Sequence, residues 1–101
     1  MNYVNLSIVV ASHKGSQKIR MLINSILIGK AIPKQIIIVC VSEEYNKYLF
    51  NLKKFMNLIN IILIKVEIKN QIYQRQIGFK LAKENYILQL DDDIIVEKNT
   101  I

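Results

Sequence analysis

The sequence predicts an α/β fold, a mostly parallel sheet with helices on both faces. Three observations predict it. Continuous apolar runs rich in β-branched residues recur four times, and helical apolar stripes fall between them. The strand starts lie roughly 25–30 residues apart, as crossover units between parallel strands require.

Leu6-Ser7-Ile8-Val9-Val10-Ala11 reads as the first strand, buried on both sheet faces. Gly15 and Ser16 interrupt it, with Ser16 suited to capping a helix. Ile19, Leu22, Ile23, Ile26 and Leu27 then form one helical stripe; Gly29 is placed to end that helix and Pro33 prevents its continuation. Ile36-Ile37-Ile38-Val39-Cys40-Val41 is the second strand. Tyr45, Tyr48, Leu49, Leu52, Phe55 and Met56 repeat with helical spacing after Ser42-Glu43-Glu44, and that aromatic stripe is expected in the core. Ile61-Ile62-Leu63-Ile64-Lys65-Val66 is the third strand. Asn70 is placed to cap a third helix whose Tyr73, Ile77 and Leu81 should face inward. Tyr86-Ile87-Leu88-Gln89-Leu90 is the fourth strand, ending on Asp91-Asp92-Asp93. No linker or repeat divides the chain, so one domain is expected over residues 1–101.

Composition narrows the function classes. Hydrophobic residues make up 51% of the 101, enough for a core, and no apolar run approaches the roughly 18–20 residues of a bilayer span. No basic residue precedes the apolar run Leu6–Ala11, so a signal peptide is not expected and a cytoplasmic location is. The single cysteine, Cys40, excludes an internal disulfide and a thiolate zinc cluster, and its apolar setting predicts a buried, inert thiol. The net charge of +6 fits nucleic acid, an anionic membrane or phosphorylated substrates, but the lysines are scattered along the chain and no nucleic-acid-binding signature occurs, so no nucleic-acid partner is expected.

Against that basic background, three consecutive carboxylates at a strand tip stand out. They are hard oxygen donors suited to Mg²⁺ or Mn²⁺, ions that hold phosphates through one or two carboxylates. A solvated acidic turn is the plain alternative. In a parallel sheet, ligands bind beyond the carboxyl ends of the strands, and four segments should meet there: Ser12-His13-Lys14, Ser42-Glu43-Glu44, Lys69-Asn70-Gln71 and the aspartates. No glycine-rich phosphate loop follows any strand and no nucleophile elbow is present, which argues against a dinucleotide dehydrogenase, a P-loop ATPase and a serine hydrolase. His13, the only histidine, has no partners for a zinc site and suits a polar loop contact; Arg75 lies early in the third helix, on the strand-tip side.

In order and spacing, Leu6–Ser12, Pro33–Val39, Gln74–Lys83 and Tyr86–Asp93 together resemble the N-terminal, nucleotide-sugar-binding half of a family 2 glycosyltransferase. The first two match its opening strands, the third its helix with an Arg-Asn-x-Gly pattern, and the last its D-x-D motif. The resemblance implies the Rossmann-like, three-layer α/β/α GT-A fold. It implies transfer of a sugar from a nucleotide diphosphate donor, most often a UDP-sugar, to a glycan or lipid-linked acceptor, with peripheral membrane association among the partners. Asp93, with Asp91, would hold Mn²⁺ or Mg²⁺. Asp91 would also serve the donor ribose, and Asp92 would support both. Ser12 and His13 would line the nucleotide pocket, and Arg75 would stand near the base or phosphates.

The chain departs from the family at three places. Val41-Ser42-Glu43-Glu44 replaces an aspartate pair after the second strand, leaving Glu43 to read the base. Ser12-His13-Lys14-Gly15 replaces Thr-Tyr-Asn-Arg, and Gln76 replaces the asparagine. The family also carries an acceptor-binding half with the general base, which residues 1–101 do not match, so no catalytic base is assigned. A missing C-terminal half or a homo-oligomer is expected to complete the chain, with self-association through the fourth strand's edge. The alternatives are a non-catalytic nucleotide-binding or oligomerisation module, a sugar-nucleotide nucleotidyltransferase lacking its usual glycine-rich loop, and a plain structural domain.

Overall fold

Four parallel strands build one sheet in the order β3-β2-β1-β4: β1 (Asn2–Ala11), β2 (Ala31–Val41), β3 (Ile61–Val66) and β4 (Tyr86–Gln89). The structure, a computed structural model, describes residues 2–92. Helices α1 (Ser16–Ile28), α2 (Tyr45–Leu52) and α3 (Gln71–Leu81) make the crossovers. The chain steps outward from β1 to β3, then reverses past β1 to β4. Keeping one crossover hand through that reversal puts α3 on the face opposite α1 and α2. The α/β/α layering is therefore as expected, with α1 and α2 packed over Ile8, Val10, Ile36 and Ile38 and α3 over Val9, Ile37 and Val39.

The central strands explain the uninterrupted apolar runs. Residues 8–10 of β1 and 36–40 of β2 are fully buried, so neither face of these strands has room for a polar alternation. Both strands run further toward their amino ends than the runs alone predict, pairing Asn2–Val4 with Ala31–Pro33. Pro33 lies in β2 beside a register shift between Val4 and Ser7, where its missing N–H breaks no regular ladder.

Three local expectations are corrected. Ser16 does not cap α1; it is the first helical residue, Gly15 takes the cap position, and no side chain caps the turn. The second helix stops at Leu52, although Phe55 and Ile59 beyond it remain buried. On α3, Tyr73 and Leu81 are exposed and Ile77 is half-buried; the buried positions are Gln74 and Gly78. The cause is close approach. A Cβ at Gly78 would lie 2.4 Å from Val9 Cγ1, so the missing side chain lets α3 rest directly on β1. The Asn70 cap is as expected, its side chain accepting from the Tyr73 N–H at 3.1 Å.

Strand β4 is short and its Tyr86 is 71% exposed, so apolar burial alone fixes it weakly. A buried polar cluster at its entrance does the rest. Ser7 Oγ donates to Gln35 Oε1 at 2.6 Å, the Lys83 N–H donates to the same oxygen at 3.1 Å, and the Glu84 N–H donates to Ser7 Oγ at 3.3 Å. These bonds hold the turn into β4 against the sheet and fix Tyr86 opposite Leu6. A one-residue slip would exchange the sides on which Asp91 and Asp92 emerge.

Cys40 is fully buried, and burial, followed by the nearby Glu44 charge, pushes its thiol up from 9.0 to about 11. It is the inert thiol expected. Among the described residues no helix is long and apolar enough to cross a membrane.

Candidate nucleotide-binding site at the strand tips

The reversal of strand order falls between the carboxyl ends of β1 and β4, the switch point at which open parallel sheets bind ligands in a crevice. The ladder continues one residue past β4, with the Leu90 N–H donating to Val9 O at 3.1 Å. The chain then delivers Asp91 and Asp92 beside Ser12.

Asp92 points inward. Ser12 Oγ donates to Asp92 Oδ2 at 2.7 Å, joining residues 80 apart in sequence. The same oxygen lies 2.5 Å from the Tyr48 hydroxyl. Because the serine proton is committed to the carboxylate, Tyr48 is the donor in that second bond. The Gly15 N–H donates to the Tyr48 oxygen at 3.0 Å. A line of bonds thus runs from the first turn of α1 through α2 and β1 to a strand-tip carboxylate. Burial raises the Tyr48 hydroxyl above its ordinary 10.0, and the bond to Ser12 opposes that rise. Gly15 is required by space, not by its backbone angle: a Cβ there would meet Asp92 Oδ2 at 2.2 Å.

Asp91 faces outward, 61% exposed, with Arg75 Nη2 at 3.7 Å from its Oδ1. At that exposure the pair contributes little stability, but it sets a cation beside the carboxylates. Arg75 Nε is shielded from solvent and finds no hydrogen-bond partner among the described residues.

The walls are tied together by Gln74, which the apolar pattern gave no reason to single out. Its Nε2 donates to Ser12 O at 3.1 Å and Val39 O at 2.8 Å, while its Oε1 accepts from the Asn70 N–H at 3.2 Å. One buried amide fixes the tips of β1 and β2 against the start of α3. On the other wall, Glu44 is 6% exposed and accepts from the Lys14 N–H at 2.8 Å. That bond holds Lys14 at a φ of 54°. His13 Nδ1 stands 3.1 Å from the same Glu44 oxygen, off the hydrogen-bond axis, a close electrostatic contact. Glu43, on the adjoining 3-10 turn Ser42–Glu44, is exposed and joins none of these contacts.

Ser12, Arg75, Asp91 and Asp92 therefore come together, His13 sits on the neighbouring wall, and Asp93 lies outside the described residues. Tyr48, Gly15, Glu44 and Gln74 complete the arrangement. Of these, only Glu44 had a sequence signal, a second carboxylate beside Glu43. Among the described residues no group of three or more His, Cys, Asp or Glu is placed to hold a metal. Mg²⁺ and Mn²⁺ do not need one, since one or two carboxylates with phosphate and water oxygens suffice. The open Asp91 carboxylate and the unpartnered Arg75 Nε fit such an ion with its anionic ligand.

No family model matches the sequence, and no curated protein matches it. Solved structures do. TarS of S. aureus, a glycosyltransferase, in the fragment 1–349, superposes with a TM-score of 0.81 at 22% identity over 99% of this chain. The same fragment superposes with TM-scores of 0.79 in complex with UDP and 0.76 in complex with UDP-GlcNAc, each at 21% identity. This chain spans 30% of the length of the first two and 29% of the third. The likeness establishes the fold as that of the N-terminal part of TarS.

Proposed function

We propose that this chain is the donor-binding part of a family-2-like glycosyltransferase and takes a nucleoside diphosphate sugar, UDP-linked, at the tips of β1 and β4. The observation that carries this is the Ser12–Asp92 bond at 2.7 Å, which ties the residues following β1 and β4 together where the strand order reverses. The fold is one that TarS presents in complexes with UDP and UDP-GlcNAc.

Asp91 and Asp93 would hold Mg²⁺ or Mn²⁺, with Asp92 kept out of that role by Ser12. When bound, the ion neutralises charge developing on the departing diphosphate. Arg75 offers its unpartnered Nε to a phosphate oxygen. Ser12, His13 and Glu43 line the nucleotide side, and a glycan or lipid-linked acceptor supplies the attacking hydroxyl. The line from Gly15 through Tyr48 and Ser12 orders the site before any ligand arrives.

Calorimetric titration of UDP with and without Mn²⁺, on the wild type and on Asp93→Asn, tests the proposal. The expected result is metal-dependent binding that the variant loses; identical weak heats in all four titrations would remove it. The open edge of β4, with Tyr86 and Ile87 exposed and no strand beyond it among the described residues, favours a second reading as a nucleotide-binding or oligomerisation module without catalysis. Such a module self-associates in light scattering and binds donor without hydrolysing or transferring it.

A further inference from the structure

Five of the lysines that look scattered in the sequence, with Arg20, are gathered by the fold. Helices α1 and α2 pack side by side on one face of the sheet, and two adjoining grooves, about 730 and 450 Å³, run along them and share Phe50 and Asn51. Their linings carry Lys14, Lys18, Arg20, Lys47, Lys53 and Lys54, all exposed, and no Asp or Glu. Neither helix contains an acidic residue, and of these cations only Lys47 has carboxylates one turn away, Glu43 and Glu44 on the 3-10 turn before α2. Where the grooves meet, Phe50 is 79% exposed. The carboxylates Glu43, Glu44, Glu67, Asp91 and Asp92 instead follow the carboxyl ends of the strands, and Glu84 precedes β4; the two charges meet only at the Lys14 end of the grooves, where the Lys14 N–H bonds Glu44.

We propose that this α1–α2 face docks on an anionic lipid bilayer. Phe50 enters the boundary between headgroups and acyl chains, and the surrounding cations meet lipid phosphates. An exposed ring amid a polybasic surface is the two-signal combination that holds proteins at such membranes. A soluble polyanion would satisfy the cations but offer Phe50 no apolar medium. Nucleic acid would call for a series of stacking rings, and Phe50 is the only aromatic side chain in either lining. A second copy of the same face would meet like charge. The surface reaches Lys14 and Gly15, so docking sets the strand-tip crevice beside the bilayer.

Flotation of the 101-residue protein with vesicles tests this. Binding is expected to phosphatidylcholine containing about 30 mol % phosphatidylglycerol and not to phosphatidylcholine alone, and to fade between about 0.1 and 0.5 M salt. Each of Lys18→Gln, Lys47→Gln and Lys54→Gln should weaken it about fivefold. Phe50→Ser should weaken it about tenfold or more, with little change in the salt dependence. Circular dichroism should show every variant folded, since all four side chains are exposed. Absence of vesicle binding, equal binding to uncharged vesicles, or indifference to Phe50→Ser with full competition by soluble heparin would each overturn it. UDP titration of Phe50→Ser should match the wild type, which separates failure of this surface from failure of the nucleotide site.

Discussion

Strand β1 and the residue that follows it supply two buried serines that do opposite kinds of work. Ser7 belongs to a closed, neutral cluster: its partners are the Gln35 side chain and the backbone N–H of Glu84, and Gln35 also takes the Lys83 N–H. Ser12 belongs to an open one, which passes through the ionisable Tyr48 and ends on the Asp92 carboxylate at the molecular surface. The two clusters grip opposite ends of β4, a four-residue strand with an exposed outer face. Polar bonds at entrance and exit therefore do what apolar burial does for β1 and β2. The neutral cluster serves the fold alone, whereas the charged one gives up some closure to present a carboxylate.

The division can be broken by experiment, and effects on stability should shrink in the order in which effects on ligand binding grow. Gln35→Leu keeps the volume but strips the acceptor from the Ser7 hydroxyl and the Lys83 N–H, and should cost about 3 kcal/mol. The urea midpoint should fall with its slope unchanged, and UDP affinity of the folded protein should hold. Loss of affinity here would show that the entrance cluster also serves the site.

Tyr48→Phe removes one donor and one acceptor from the exit cluster and should cost about 1–2 kcal/mol while also weakening UDP binding. It should change the alkaline behaviour too. The Tyr48 hydroxyl is raised by burial, so above the ordinary tyrosine range the unfolded chain ionises first. Stability then falls as pH rises, and below that range the contribution is intact. Cys40 acts in the same direction at lower pH: with its thiol moved from 9.0 to about 11, the wild type should lose roughly 3 kcal/mol across that interval. Measured in a Cys40→Ala background, thermal melts against pH should isolate the Tyr48 component, which Tyr48→Phe abolishes. The neutral Ser7 cluster predicts no such component for Gln35→Leu.

Gly15→Ala should be the mildest for stability, about 1 kcal/mol, because the nearest atom it meets is the free end of the partly exposed Asp92 side chain and the buried Ser12 Oγ, at 2.9 Å, has to give by only a few tenths of an ångström. Displacing that carboxylate breaks its bond to Ser12, and UDP affinity should fall about tenfold. Unchanged affinity would mean that the nucleotide site does not depend on where Asp92 points.

The sheet was legible because its signal is local. The Ile-rich runs at 36–41 and 61–66 and the stripe Ile19–Ile26 each announce themselves within a few residues. The gathering of Ser12, Arg75, Asp91 and Asp92 followed from parallel strands alone. What escaped depends on pairing through space. Tyr48 reaches Ser12 across 36 positions and Gln74 reaches it across 62. Apolar periodicity also misplaced the inner face of α3. That helix seats itself through a residue without a side chain, Gly78, and a polar one satisfied by backbone carbonyls, Gln74, neither of which an apolar stripe reveals. The basic face was hidden for the same reason, since its cations lie on two helices that only the tertiary structure brings together.

The clamp made by Gln74 has a thermodynamic consequence. Because one side chain ties the ends of β1 and β2 to the start of α3, the β1 side of the strand-tip site is placed when the protein folds, and the loss of loop entropy falls on folding too. A ligand arriving there finds that side already set. Amide exchange in residues 39–41 and 70–74 should therefore be nearly the same with the crevice empty as with it filled.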